Sequence, residues 1–208
     1  MQIRFTRRSL IVGLLALAGM VLQPSLANAQ KKDKGAKPAK NPQVEMQIDM
    51  RNPKKTVKII IELYSKEAPK TVQHFLELAN KKFYDGILFH RYIPNFVLQG
   101  GDPASKKVDG GLIADMPAQE VGEKYGLGVG GSGKNVPLEA KISHTRGTLG
   151  LARSQAPDSG DSQFFFNLVD NLRLDGNYCV FGKVIKGIEN VDKMRQGDKI
   201  RSVRPVKK

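Results

Sequence analysis

The stretch FHRYIPNFVLQGGD, Phe89 to Asp102, sets one arginine and one glutamine among aromatic and aliphatic side chains, with Pro94 breaking the run. Short apolar runs bounded by glycine or proline read as strands. A guanidinium cannot be neutralised by burial as a lysine can, so Arg91 must either reach water or serve a polar task. The plain alternative is a strand whose arginine simply points outward, as most charged side chains do.

Runs of the same kind lie on both sides. Val44, Met46, Ile48 and Met50 alternate with Glu45, Gln47 and Asp49, the period of a half-buried strand. Arg51-Asn52-Pro53 supplies a turn, and Val57, Ile59, Ile61 and Leu63 continue as the second arm of an antiparallel hairpin. Further apolar runs, separated by glycine or Asp-Gly turns, fall at Gly147–Ala152, Phe164–Leu168 and Tyr178–Ile185. Pro69 suits the first turn of a helix, where its missing N–H would be unpaired anyway. Val72, Phe75, Leu76 and Ala79 follow at helical spacing, and Ile188, Val191 and Met194 mark a second, short helix before Gly197. Many short strands with two helices predict a mainly β sandwich or barrel.

The chain has 208 residues, enough for one folded domain. Arg4, Arg7 and Arg8 precede an apolar run from Leu10 to Leu22, and Ala27-Asn28-Ala29 follows with small residues at the spacing of a secretory cleavage site. Residues 1–29 are therefore expected to be a signal peptide cleaved after Ala29. The run is too short to span a membrane, which takes about 20 residues, so no stable membrane anchor is expected after cleavage. Export to the periplasm or the medium follows from this reading. Arg7-Arg8 leaves both the Sec and the twin-arginine routes open. Residues 30–43, lysine-rich and without a large apolar side chain, read as a disordered linker, and residues 44–208 as the folded domain with a basic C-terminal tail.

The formal net charge of +14 would suit a nucleic-acid binder, but the charge gathers in the leader, in the linker and in the closing RSVRPVKK. No aromatic-studded basic groove accompanies it, so no nucleic-acid partner is expected. Cys179 is the single cysteine, which precludes an intramolecular disulfide; within YCVF it reads as an inert buried thiol.

The inventory for acid, base or nucleophilic chemistry is poor. GLGVGGSGK, Gly126 to Lys134, imitates a phosphate loop, but Asn135-Val136-Pro137 follows where a helix would be needed, so a flexible glycine loop is expected. His74, His90 and His144 lie in separate segments without metal-ligand spacing, and no metal is expected. His74 reads as exposed on its helix, the other two as structural hydrogen-bonders. No G-x-S-x-G elbow occurs. One reaction needs none of these groups. Rotation about an X–Pro peptide bond is opposed by a barrier of about 20 kcal/mol from partial double-bond character. It requires an apolar socket for the ring and a fixed donor for the nitrogen whose lone pair localises as the bond twists.

Phe89-His90-Arg91, the Phe96–Asp102 run and Ser162-Gln163-Phe164-Phe165 resemble the signature segments of the cyclophilin-type peptidyl-prolyl isomerases. Ala68-Pro69-Lys70-Thr71, His144-Thr145-Arg146-Gly147, Leu151-Ala152-Arg153 and Val180-Phe181-Gly182-Lys183-Val184 match as well, in the same order. The resemblance implies a closed eight-stranded antiparallel barrel capped by two α-helices, working as a monomer without a cofactor on proline-containing unfolded or flexible polypeptides. It implies Arg91 as catalytic donor, Phe96 as pocket floor and Gln99 as the residue orienting the arginine. Val97, Phe165, Leu174 and Tyr178 would complete the socket, with Ala152 and Arg153 offering backbone groups to a substrate strand and Gln163 close by. A proline-peptide binding module or holdase without turnover is the alternative. Two features depart from the family. Arg173 stands where animal cyclophilins carry a tryptophan that grips cyclosporin, which implies weak binding of that macrocycle. Residues from Pro103 to Leu127 form an insertion, expected to be a mobile surface excursion whose deletion from Ser105 to Tyr125 should leave activity on a short proline peptide largely intact while altering activity on a folding protein.

Overall fold

The computed structural model of the chain describes residues 40–206. The expected leader and most of the linker lie outside these residues. Among the described residues there are eight strands: β1 Gln43–Met50, β2 Lys55–Leu63, β3 Phe89–Ile93, β4 Val97–Gly100, β5 Thr148–Leu151, β6 Phe164–Asn167, β7 Val180–Lys186 and β8 Lys199–Pro205. Four helices accompany them: α1 Pro69–Asn80, α2 Gly110–Ile113, α3 Ala118–Tyr125 and the single turn α4 Ile188–Val191. The strands form one sheet in the order β3-β4-β6-β5-β7-β2-β1-β8, antiparallel at every ladder.

The first hairpin forms as its alternation demands. Val44 faces Ile61, Met46 faces Ile59 and Ile48 faces Val57, so each apolar residue meets another across the ladder. All six are buried, and a side chain of that size contributes roughly 1.5–3 kcal/mol when fully buried. The pairing starts earlier than the composition suggested, since β1 includes Gln43 and the Leu63 N–H donates to the Pro42 carbonyl at 2.8 Å.

The sheet curls into a half-barrel around an aromatic core. No ladder joins its edge strands β3 and β8, where a closed barrel was expected. An isolated bridge pairs Leu88 with Lys199 at that seam, and the Phe89 and Ile200 N–H groups donate across it to Asp198 and Ile87. Helix α1 lays Phe75 against Phe164, Phe181 and Tyr84, with ring centroids 5.0–5.8 Å apart. Cys179 is buried, and its thiol is pushed up to about 11 by that burial.

Two expectations fail here. His74 is buried, because Asp161 and Ser132 satisfy its Nε2 from two distant loops at 3.1 and 3.3 Å. The insertion is not a loose excursion either. It forms a 3-10 turn over Pro103–Lys107 followed by α2 and α3, and buries Ile113, Val121 and Leu127 against Leu88 in a second apolar cluster. Gly110 approaches the backbone at Gly197 so closely that a β-carbon would collide with the Gly197 carbonyl. The buried Gln196 side chain bolts the piece down, donating from Nε2 to the Ile113 and Met116 carbonyls at 2.5 and 2.8 Å and accepting the Tyr92 N–H at 3.2 Å.

Candidate active site

Strict alternation along β3 would put Arg91 on the same face as Phe89, in the core. The ladder with β4 prevents this. Phe89 pairs with Gly100 but Arg91 pairs with Gln99, so two residues of β3 span one step of β4. This β-bulge at His90 reverses the phase and turns Arg91 to the outer face. Beyond it, Gln99 of β4 lies opposite Arg91 and also opposite Phe165 of β6, while Leu98 and Phe166 face inward. Phe165 in turn lies across Gly150 of β5, where a β-carbon would collide with its ring. Glycine there leaves room for the ring to lie flat as the wall of a pocket.

The pocket is a cavity of about 140 Å³ lined by Arg91, Phe96, Val97, Gln99, Ala152, Arg153, Phe165, Leu174 and Tyr178. These are nine of the ten residues singled out by sequence. The tenth, Gln163, joins through a hydrogen bond to Gln99. Arg91 Nη1 donates to Gln99 Oε1 at 3.2 Å, and Gln99 Nε2 donates to Gln163 Oε1 at 2.9 Å. Gln163 Nε2 donates to the Gly130 carbonyl at 2.8 Å, and the Gly130 N–H ends the chain on the Asp102 carboxylate at 3.0 Å. Asp102 is fully buried and also accepts the N–H groups of Gly128 and Ala104 at 2.7 and 2.9 Å. The glycine loop expected to be flexible is thus pinned at both Asp102 and Asp161, the latter accepting the Gly133 N–H at 2.8 Å.

Arg91 is half-buried, and desolvation lowers its guanidinium below the ordinary arginine range, opposed by Tyr178. The group remains a cation, since an arginine begins far above neutral pH. Its carbon lies 5.9 Å from the centre of the Phe96 ring. Phe96 is held by its own carbonyl, which accepts from Leu168 N and Asn171 Nδ2 at 2.9 and 3.0 Å. Behind the pocket, His144 stacks on Phe165 at 5.7 Å and bonds the Tyr178 carbonyl at 3.1 Å through Nε2. Burial holds His144 below the ordinary imidazole range. Ala152 commits its N–H to the Gln163 carbonyl, so only its carbonyl side can serve a substrate strand. A second cleft of about 470 Å³ adjoins, sharing Gln99, Ala152 and Arg153.

His90, at the bulge, is buried with neither ring nitrogen hydrogen-bonded among the described residues. Burial pushes its pKa down to about 4, against the pull of Asp102. The unfolded chain takes up that proton near pH 6.5. Between about pH 6.5 and 4 the unfolded state therefore binds more protons, and stability falls as pH drops through this window, by up to about 3 kcal/mol. Urea unfolding at pH 7.5, 5.5 and 4.5 is expected to show this slope in the wild type and a shallower one in His90→Leu. An identical slope in both proteins would rule out His90 as its source.

A family profile described as "Cyclophilin type peptidyl-prolyl cis-trans isomerase/CLD" matches residues 44–208. A peptidyl-prolyl cis-trans isomerase of Acinetobacter baylyi is 38% identical over 159 residues, covering 74% of this chain and 72% of its own length. The peptidyl-prolyl cis-trans isomerase B of Bacillus subtilis is 39% identical over 150 residues, 71% of this chain and 90% of the relative. A crystal structure of a cyclophilin-type isomerase from Cryptosporidium parvum superposes with a TM-score of 0.62 at 24% identity, covering 80% of this chain and 99% of that one. The chain belongs to the cyclophilin-type peptidyl-prolyl cis-trans isomerase family.

Proposed function

We propose that Arg91 is the catalytic donor of this peptidyl-prolyl isomerase, acting on X–Pro bonds of unfolded or flexible exported polypeptides. The observation that carries this reading is a half-buried guanidinium set beside an apolar pocket and held there by Gln99. The proline ring enters between Phe96, Phe165, Leu174 and Tyr178. As the bond twists, amide conjugation is lost and the nitrogen lone pair localises toward Arg91. A donor fixed beforehand stabilises that state more than the planar one, which is the condition for raising kcat. No proton leaves and no covalent bond forms, so the absence of a base or nucleophile from the pocket lining is consistent with the chemistry. The hydrogen bonds across the seam between β8 and the residues before β3 support the finer reading of a closed barrel.

Isomerisation of a short proline peptide, followed without a coupled protease, tests the reading. Catalysed exchange is expected. Saturable binding with no change in exchange rate would make the chain a proline-peptide binding module instead. Export is supported by the basic start, the Leu10–Leu22 run and Ala27-Asn28-Ala29. N-terminal sequencing of the exported protein is expected to begin at Gln30, and an intact Met1 there would contradict a cleaved leader.

A further inference from the structure

The pocket rim carries three guanidinium groups and no carboxylate. Two of the three are committed. Arg91 is oriented by Gln99. Arg153 lies 4.8 Å from the Tyr178 ring centre and spends its donors on the carbonyls of Asn177, Ser154 and Gln155 at 2.7–3.0 Å. Arg173 differs. It is exposed, its guanidinium rests 4.5 Å from the centre of the Phe96 ring, and it has no hydrogen-bond acceptor among the described residues. The neighbouring carboxylates are engaged elsewhere, Asp170 by the Arg146 N–H and Asp175 by the His144 N–H.

The backbone that carries it is held in place. Arg173 sits in the 3-10 turn Leu172–Leu174, whose last residue lines the pocket. The Leu174 N–H donates to the Asn171 carbonyl, and the Asn171 side chain donates to the Phe96 carbonyl. These two hydrogen bonds tie the turn to the pocket floor. A guanidinium stacked on an aromatic face keeps its donor edge free for a planar anion.

We propose that Arg173 makes this enzyme favour X–Pro bonds flanked by a glutamate or aspartate, whose carboxylate accepts from the guanidinium edge while the proline ring lies over Phe96. The proposal rests on the proline-pocket reading above and adds the class of substrate. An exposed pair of this kind shifts affinity by roughly fivefold at low salt, and salt screens it.

Two series of short proline peptides test it, with Glu, Ala or Lys placed directly before or directly after the Ala-Pro pair. In each, kcat/KM is read by NMR exchange and Kd by titration. The wild type is expected to prefer Glu over Lys by about tenfold or more in at least one series. Arg173→Ala should cut that ratio about fivefold, Arg173→Glu should invert it, and about 0.5 M salt should flatten it by screening. Equal Glu-to-Lys ratios in the wild type and Arg173→Ala, in both series, would overturn the proposal. Because Kd carries the ratio independently of turnover, a preference for acid with no catalysed exchange would sustain Arg173 recognition and defeat only the catalytic reading.

Discussion

Arg91→Ala is expected to lower kcat about a hundredfold while leaving the affinity for a proline peptide within a few-fold. The loss of one preorganised charged donor typically costs about 3 kcal/mol in the transition state. Ground-state affinity comes mainly from the apolar walls, which the change leaves in place, so the deficit belongs in kcat. Arg91→Lys should fail almost as badly, because a flexible ammonium cannot reproduce a planar fork held by Gln99 at 3.2 Å. The fold should survive both changes, since the bulge at His90 already turns this side chain to the outer face. Steady-state kinetics with thermal melting separate the two effects. A proportional rise in KM with kcat unchanged would assign Arg91 to binding alone.

The second large effect concerns the insertion. Ile113→Ala is expected to destabilise the protein by about 3 kcal/mol, the middle of the range for deleting a buried isoleucine side chain. For a domain of this size that corresponds to a Tm lower by roughly 6–12 °C. Deleting Ser105 to Tyr125 should go further and abolish activity even on short peptides. It would bare Leu88, remove the Ser105 hydroxyl that accepts the Leu88 N–H at 3.0 Å, and leave the Gln196 amide without the Ile113 and Met116 carbonyls. Leu88 immediately precedes β3 and Tyr92 follows Arg91 on it, so the damage reaches the pocket. A deletion variant with wild-type melting and short-peptide turnover would show that the insertion is dispensable.

The strands with strict alternation were legible because each side chain's burial depends on its own period. Val44 to Met50 and Val57 to Leu63 needed no distant information. The pocket residues were legible through ordered motifs, which carry spatial relations that no single spacing supplies. The bulge at His90 was not, since a period-two reading of Phe89 and Arg91 places both on one face and the extra residue appears only in the ladder with β4. The insertion hid for a related reason. Its apolar positions are sparse, Ile113, Val121 and Leu127, and their burial depends on Leu88 and Gln196 contributed from elsewhere in the chain. His74 is the same case in miniature, a histidine on a helix buried because Asp161 lies 87 residues further on. The amide relay from Arg91 to Asp102 likewise joins residues whose side chains meet only after the glycine loop has folded back.

The most direct measurement is NMR exchange between the cis and trans forms of one Ala-Pro peptide, at saturating peptide, with wild type and Arg91→Ala side by side. Rapid catalysed exchange is expected in the wild type and a rate about a hundredfold lower in the variant, with both proteins melting alike. Equal exchange rates in two equally stable proteins would contradict it.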